Sequence, residues 1–192
     1  MRHVYIAGTS LAMQSLVRVQ TKNYLDVAAR ARELGCRVPV GIALLPGNFG
    51  AATSAGEFCC HAATPHVRAA WQSVGLKDEG PGARDTTRSR SQAMRRAPDL
   101  QPGVGNESTP VPLVVFFGAG LRDGPAWRVA VALGMVSSVL ASHPRCASPR
   151  DVRLDIVVER PDDHGCTCIE YQGDAFGIVA LARDVRRMWA DK

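Results

Sequence analysis

The residue types best suited to chemistry are concentrated in one short stretch, GEFCCHAATPH, at positions 56–66. It holds a carboxylate, two thiols and two imidazoles: Glu57, Cys59, Cys60, His61 and His66. Such side chains bind zinc, or serve as a nucleophile with its base. A zinc knuckle normally has its cysteines in a C-x-x-C turn, and a reactive thiol needs a base placed beside it. The spacing provides neither, so we predict no metal site and no catalytic cysteine here.

The same stretch carries ordinary helix signals. The letters SAGE form an S-x-x-E capping box, and a Thr-Pro pair typical of a helix start follows. We therefore predict two short helices, over about residues 55–63 and 65–74. Consecutive helical residues are turned by about 100°, so the two cysteines and the first histidine cannot converge on one metal ion. Only Glu57 and His61, four residues apart, would share a helix face.

A second cysteine and histidine set, HGCTC at 164–168, also lacks the C-x-x-C spacing. The chain has six cysteines in all, too few and too irregular for a small secreted disulfide scaffold. They are interpreted as reduced, mostly structural thiols of a cytoplasmic protein.

Apolar runs and helical patterns alternate along the chain, which indicates an α/β protein. We predict strands at 3–7, 37–45 and 111–117, a hairpin of 152–160 with 166–172, and helices over about 11–34, 125–142 and 174–189. The runs are too continuous to face water, which favours a mainly parallel, Rossmann-like three-layer sheet with helices on both faces. The C-terminal hairpin would add an antiparallel edge. A length of 192 residues fits a single domain, 1–192.

Residues 77–110 break this pattern. They are crowded with glycine, proline, serine, threonine and charge, and contain almost nothing to bury. This composition is typical of a flexible or disordered insertion.

Composition restricts the partners. The formal net charge is +5, and the basic residues are nearly all arginine, with lysine only at positions 22, 77 and 192. Neither a block of like charges nor interleaved aromatic residues is present, which argues against a nucleic-acid partner. The chain has no run of 18 apolar residues, so we expect no membrane span. The apolar start passes into a helical pattern, unlike a cleaved signal peptide.

Two glycine-containing loops are the better candidates for a site: AGTSL at 7–11 and GAGLRDG at 118–124. Loops at the carboxyl ends of parallel strands offer backbone N–H groups and helix starts that favour anions. LPGNFG, at 45–50, is predicted to lie on the same rim. The predicted binding residues are Gly8, Thr9, Ser10, Asn48, Gly118 and Gly120. Asp123 is the candidate acid/base.

Familiar nucleotide and hydrolase motifs are absent. The sequence contains no G-x-G-x-x-G, no G-x-x-x-x-G-K-[ST] and no G-x-S-x-G. The segments IAGTSL and VVFFGAG, the second followed by an apolar helix, resemble the loops of CARF domains, which sense cyclic oligoadenylates. About a dozen residues carry this resemblance, and the Gly-Gly-Thr-Lys motif of that family is not found here.

These patterns predict a domain that binds a nucleotide or another anionic small molecule, as a sensor or as a hydrolase of phosphoester or N-glycosidic bonds. The alternative is a non-catalytic protein-interaction module with no small-molecule site. The sequence leaves open whether the chain is an enzyme, which cofactor or ligand it takes, and whether it forms a homo-oligomer.

Overall fold

The computed structural model describes residues 17–81, 111–125, 127–143, 152–161 and 165–190. The strands are β1 (Arg18–Tyr24), β2 (Ile42–Leu45), β3 (Leu113–Phe117), β4 (Val152–Glu159) and β5 (Cys166–Gly173). The helices are α1 (Val27–Glu33), α2 (Thr64–Ser73), α3 (Trp127–Ser142) and α4 (Leu181–Ala190). Short 3₁₀ segments occur at Ala55–Glu57, Ala119–Leu121 and Ala175–Ala180.

The five strands form one mixed sheet in the order β1-β5-β4-β3-β2. Only β3 and β4 are parallel, joined through α3, and the other three neighbouring pairs are antiparallel. The α/β class is therefore confirmed, but the prediction of a mainly parallel, Rossmann-like sheet is wrong. The central strands are apolar because both of their faces are buried, and burial on two faces says nothing about strand direction.

Helices cover both sides of this sheet. Side chains at alternate positions of β3 point to opposite faces, as the pleat requires. Leu113, Val115 and Phe117 belong to a core completed by α2, α3 and α4. Val114 and Phe116 belong to a smaller core on the other face, completed by α1 and by Phe49 from the loop after β2. Among the described residues, this second core covers only part of its sheet face.

The N-terminal helix expected over about 11–34 is wrong over residues 18–24, which form β1. Period-two alternation decides this segment, because Arg18, Gln20 and Lys22 share one face while Val19 and Thr21 share the other. The helix that follows is short, and Asp26 caps it by accepting a hydrogen bond from the Ala29 backbone N–H at 2.9 Å.

The strand predicted at 37–45 is confirmed only over its last four residues, which form β2; before it, the Val40 and Gly41 amides donate to the Glu79 carboxylate. The later strands and the long helices lie close to their predicted positions. The strand at 111–117, the hairpin of 152–160 with 166–172 and the helix at 125–142 are confirmed, with ends that differ by one or two residues. The C-terminal helix begins as a 3₁₀ segment and becomes α-helical at Leu181. The predicted strand at 3–7 and most of the predicted insertion, 82–110, lie outside the described residues. No helix in the described ranges is both long and apolar enough to cross a membrane.

Candidate functional site

Of the two short helices predicted around the stretch GEFCCHAATPH, the one over about 55–63 is wrong, whereas the one over about 65–74 is confirmed as α2. Only Ala55–Glu57 makes a 3₁₀ turn, and the chain is not helical again until α2 begins. The Glu57 carboxylate accepts from the backbone N–H of Thr53 at 2.8 Å and from its hydroxyl at 2.7 Å. His61 accepts from the Ala63 backbone N–H at 3.0 Å, just before α2. The predicted Glu57 and His61 helix pair is therefore wrong, because both side chains satisfy nearby backbone instead.

The cysteines show no sign of a reactive centre in the part of the chain that the structure describes. All five described cysteines are free thiols, and Cys36, Cys166 and Cys168 are buried. Burial raises the pKa of Cys166 to about 11 and that of Cys168 to about 12, so both thiols stay protonated at neutral pH. No group of three or more His, Cys, Asp or Glu among the described residues could hold a metal ion.

The glycine loop after β3 is packed tightly against the segment before β2. A Cβ at Gly118 would lie 2.2 Å from the Val40 carbonyl oxygen, so glycine allows the two backbones to approach. The Gly118 N–H donates to the Gly41 carbonyl at 2.9 Å. The next amide, of Ala119, donates to the Glu159 carboxylate at 2.8 Å. Packing explains Gly118, and the chain's own carboxylate already occupies one of the amides predicted to bind an anion.

Of the other predicted residues that the structure describes, Gly120 and Asp123 lie in this loop and Asn48 does not. Gly120 and Asp123 are exposed after β3. Asn48 follows β2, which runs antiparallel to β3, so it lies at the opposite end of these strands and the expected shared rim is wrong. Its side-chain amide donates to the Glu57 carbonyl and accepts from the Cys59 N–H, each at 2.8 Å, which fixes the loop. Gly8, Thr9 and Ser10 lie outside the described residues.

The structure brings polar side chains together elsewhere, on the sheet face that α1 leaves uncovered. We call this surface the polar face. It is formed by seven side chains from three neighbouring strands: Arg18, Gln20 and Lys22 on β1, Glu170 and Gln172 on β5, and Arg153 and Asp155 on β4. None of them is fully buried.

Strand register arranges these side chains in rows across the sheet. Arg18 pairs with Gln172, which pairs with Arg153, so one row ends in a guanidinium group on each side. In the next row, two residues along, Glu170 pairs directly with Asp155. Directly opposite Cβ atoms lie about 5 Å apart in antiparallel strands, so these two carboxylates are close neighbours.

A cavity of about 440 Å³ opens on this face. Six of its lining residues belong to the polar face, and Pro112 and Tyr171 complete the lining. Its volume is in the range of small-molecule sites, which combine a concave shape with a few convergent polar groups. The Gln20 amide, with its oxygen turned toward Arg18, accepts from Nη2 at 2.7 Å and orients that guanidinium at the rim.

Electrostatics distinguish the two carboxyl groups. Partial burial, and then the nearby Glu170 charge, raise the pKa of Asp155 to about 6 from an ordinary 3.8, against the opposing effect of Lys22. Glu170 forms an ion pair with Lys22, whose pKa that hydrogen bond raises. A perturbed carboxyl group in a cleft beside a second carboxylate is a frequent mark of a functional site.

The sequence did not predict this site, because the helix predicted over about 11–34 includes residues 18–24, which form β1. On β4, Arg153 and Asp155 alternate with apolar residues, and neither is among the predicted site residues. A usable signal was present, because pairing the two predicted hairpin strands through their turn places Asp155 close to Glu170.

No protein family, no curated protein and no solved structure matches this chain in the comparisons made with each.

Proposed function

We propose that the chain binds an anionic, hydroxyl-bearing small molecule, a sugar phosphate or a nucleotide, in the cavity of the polar face. The observation that carries this proposal is the arrangement of two neighbouring rows of side chains. One row has an arginine at each end, and in the next row two carboxyl groups face each other. The proposal keeps the ligand class favoured by the sequence but moves the site from the glycine loops.

Strand geometry sets the dimensions of the ligand. Neighbouring strands are about 4.8 Å apart, so the Cα atoms of Arg18 and Arg153 are separated by about 10 Å across β5. Two long guanidinium side chains can close on one phosphate from that separation, with charge-assisted hydrogen bonds. The carboxyl row lies about 7 Å further along the strands. A ligand with a phosphate at one end and hydroxyl groups about 7 Å away would contact both rows.

The charges support an anion over a cation. Arg18, Lys22 and Arg153 supply three positive charges on this face, against the carboxyl groups of Asp155 and Glu170. Lys22 already neutralises Glu170, and the raised pKa of Asp155 keeps that group partly protonated near pH 6. The two arginines are thus left with little acidic competition in their own row.

The test is calorimetric titration of the chain with AMP, ribose 5-phosphate, inorganic phosphate and adenosine. We expect binding of the phosphorylated compounds and none of adenosine. Arg153→Gln should weaken binding about tenfold or more, the usual effect of removing one charge-assisted contact. Arg186→Gln is the matched control, since this exposed arginine lies on α4, which packs on the other side of the sheet.

Two results would contradict this placement. One is an equal loss of affinity in Arg153→Gln and Arg186→Gln, which would indicate a general charge effect. The other is normal binding in Arg153→Gln together with loss in Gly120→Ala, which would return the site to the glycine loop. Gly120 suits this purpose because it is exposed, and an added Cβ would require the Val40 carbonyl oxygen, at 3.3 Å, to shift by only a few tenths of an ångström.

Hydrolysis is a second candidate function, favoured by the unequal pair of carboxyl groups. In cleavage of an N-glycosidic bond, Asp155 would give its proton to the leaving nitrogen while Glu170 would accept a proton from the attacking water. This replaces Asp123, which is exposed in a turn outside the cavity lining. Chromatography of AMP incubated with the chain would detect released adenine. Asp155→Asn should stop the release while phosphate binding persists, and unchanged release would rule out the acid role.

A further inference from the structure

The two edges of the sheet differ in how their outer backbone groups are covered. β2 forms one edge and β1 the other. An edge strand exposes unpaired backbone N–H and C=O groups that can template another strand, and proteins usually block such edges. One edge of this sheet is blocked by its own chain.

The β2 edge is closed by two carboxylates just after α2. The Asp78 side chain accepts from the Leu44 N–H at 2.9 Å, and that of Glu79 accepts from the Gly41 N–H at 2.8 Å. The Glu79 backbone N–H donates to the Ile42 carbonyl at 2.9 Å. These contacts satisfy the Leu44 N–H and the Ile42 carbonyl of β2, and the Gly41 N–H just before it, without a sixth strand.

The β1 edge has no such cover within the part of the chain that the structure describes. β1 is seven residues long, against four for β2, and its only described strand neighbour is β5. It lacks proline and glycine, and no described side chain hydrogen bonds to its outer backbone. Long, regular edge strands of this kind are the ones used for strand addition.

We propose that β1 pairs with β1 of a second copy of this chain, antiparallel and about a two-fold axis, to make one continuous ten-stranded sheet. The two-fold axis stands perpendicular to the sheet, so the polar faces of both copies lie on the same side. Such an interface is isologous, because the same surface serves both partners.

Charge selects the register. With Thr21 opposite the partner's Thr21, all seven residues are paired and no like charges face each other. Gln20 then faces the partner's Lys22, and Arg18 faces the partner's Tyr24. Centring the pair on Gln20 would oppose Arg18 to the partner's Lys22, and centring it on Lys22 would oppose two lysines; both arrangements are unfavourable. Threonine opposite threonine is a favourable cross-strand pair.

This register also completes the rim of the cavity. Arg18 and Gln20 line its β1 side, beyond which the described residues add no further strand. In the dimer the partner's Tyr24 and the partner's Lys22 would continue that rim. The inference rests on the sheet edge alone, so it stands or falls separately from ligand binding.

The first test is sedimentation of the 192-residue chain over a range of concentrations. We expect a species of twice the chain mass of 20.6 kDa. Thr21→Lys should weaken the dimer about fivefold through like-charge opposition at the axis, and Thr21→Glu should do the same. An equimolar mixture of the two variants should restore it. Thr21→Val, which keeps the branched shape, is the control and should remain dimeric.

The second test reads the register. Thr21→Cys should form a disulfide between copies on mild oxidation, because the two residues would be opposite one another. Asn23→Cys should not, because its two copies would be about 14 Å apart along the strands. Both variants keep the native cysteines, so the unsubstituted chain gives the background.

A chain that remains monomeric at all concentrations overturns the proposal. Hydrogen exchange would then show why the chain is monomeric: the β1 amides would either exchange freely or be protected by another segment of the same chain. Both results contradict the proposed dimer. A dimer unaffected by either charge substitution overturns it as well, because the contact would then lie elsewhere.

Discussion

The two halves of the sheet differ in how their polar groups are satisfied. In the β2 and β3 half, both faces are apolar and buried, and the edge is closed by Asp78 and Glu79. In the β1 and β5 half, one face carries charged side chains around a cavity, and the described chain leaves the edge open. The first half has the features of a scaffold and the second those of a surface that contacts other molecules.

The largest effect is expected from opening the protected edge. Asp78 is almost fully buried and accepts from Leu44, Gly80 and Arg68 at 2.7 to 2.9 Å. Asp78→Ala leaves a strand amide without an acceptor and removes the partner of a cation. We expect a loss of about 3 kcal/mol in the free energy of unfolding, measured by urea denaturation.

Asp78→Asn is the matched variant for that prediction. It keeps an oxygen for Leu44 but loses the charge, so it should cost about 1 kcal/mol. If both variants were as stable as the native chain, the carboxylates would not be closing the edge, and the contrast between the two halves would fail.

A smaller effect of opposite sign is expected on the polar face. The pKa of Asp155 is raised to about 6 from 3.8, so the folded chain holds this proton more tightly than the unfolded chain does. This contribution to stability is fully present below pH 3.8 and is lost as the pH rises through about 6. Asp155→Asn, which stays neutral, should therefore be more stable than the native chain at pH 8, by about 1 kcal/mol after allowance for solvent screening.

Thermal unfolding from pH 4 to pH 8 would measure this difference. The gap between native chain and variant should widen as the pH rises and stay constant above about pH 7. A gap independent of pH would mean that Asp155 does not titrate in this range. A substitution that stabilises the fold at this position would fit the proposed site, because residues kept for function often lower the stability of the fold.

The smallest effect is expected at Glu170. Its ion pair with Lys22 is more than one third exposed, so Glu170→Gln should change stability by no more than about 0.5 kcal/mol, and less at high salt. The same substitution removes a cause of the raised Asp155 pKa and releases Lys22 to oppose it. Carboxyl titration by NMR should then show the pKa of Asp155 below 6. An unchanged pKa would mean that the charge of Glu170 does not affect Asp155.

Local patterns predicted the elements well, and failed where long-range pairing decides. The apolar run at 111–117 and the alternation in β4 were enough to place those strands. The direction of β2 relative to β3 was not readable, because a strand buried on both faces has the same composition in either direction. That direction separates Asn48 from the glycine loop, so the assumed rim could not form.

The candidate site was harder to predict than the fold because its residues come from three strands. Arg18 and Arg153 are 135 positions apart and meet only through the pairing of β1 with β5 and of β5 with β4. Their residue types alone do not indicate a site, since exposed arginines and glutamates on strands are usually solvated. The stretch at 56–66 is dense in residue types that can carry chemistry, yet Glu57 and His61 accept hydrogen bonds from nearby backbone amides there.

Because the Ala119 amide already donates to the Glu159 carboxylate, an anion that binds the glycine loop must compete with that carboxylate for the amide. The carboxylate is tethered beside the amide by the fold, so it acts at a high effective concentration, of millimolar order even for a loosely tethered group. A soluble anion must displace it and leave a carboxylate to be solvated again. If the polar face binds phosphate compounds as proposed, they would therefore occupy the arginine row before this loop.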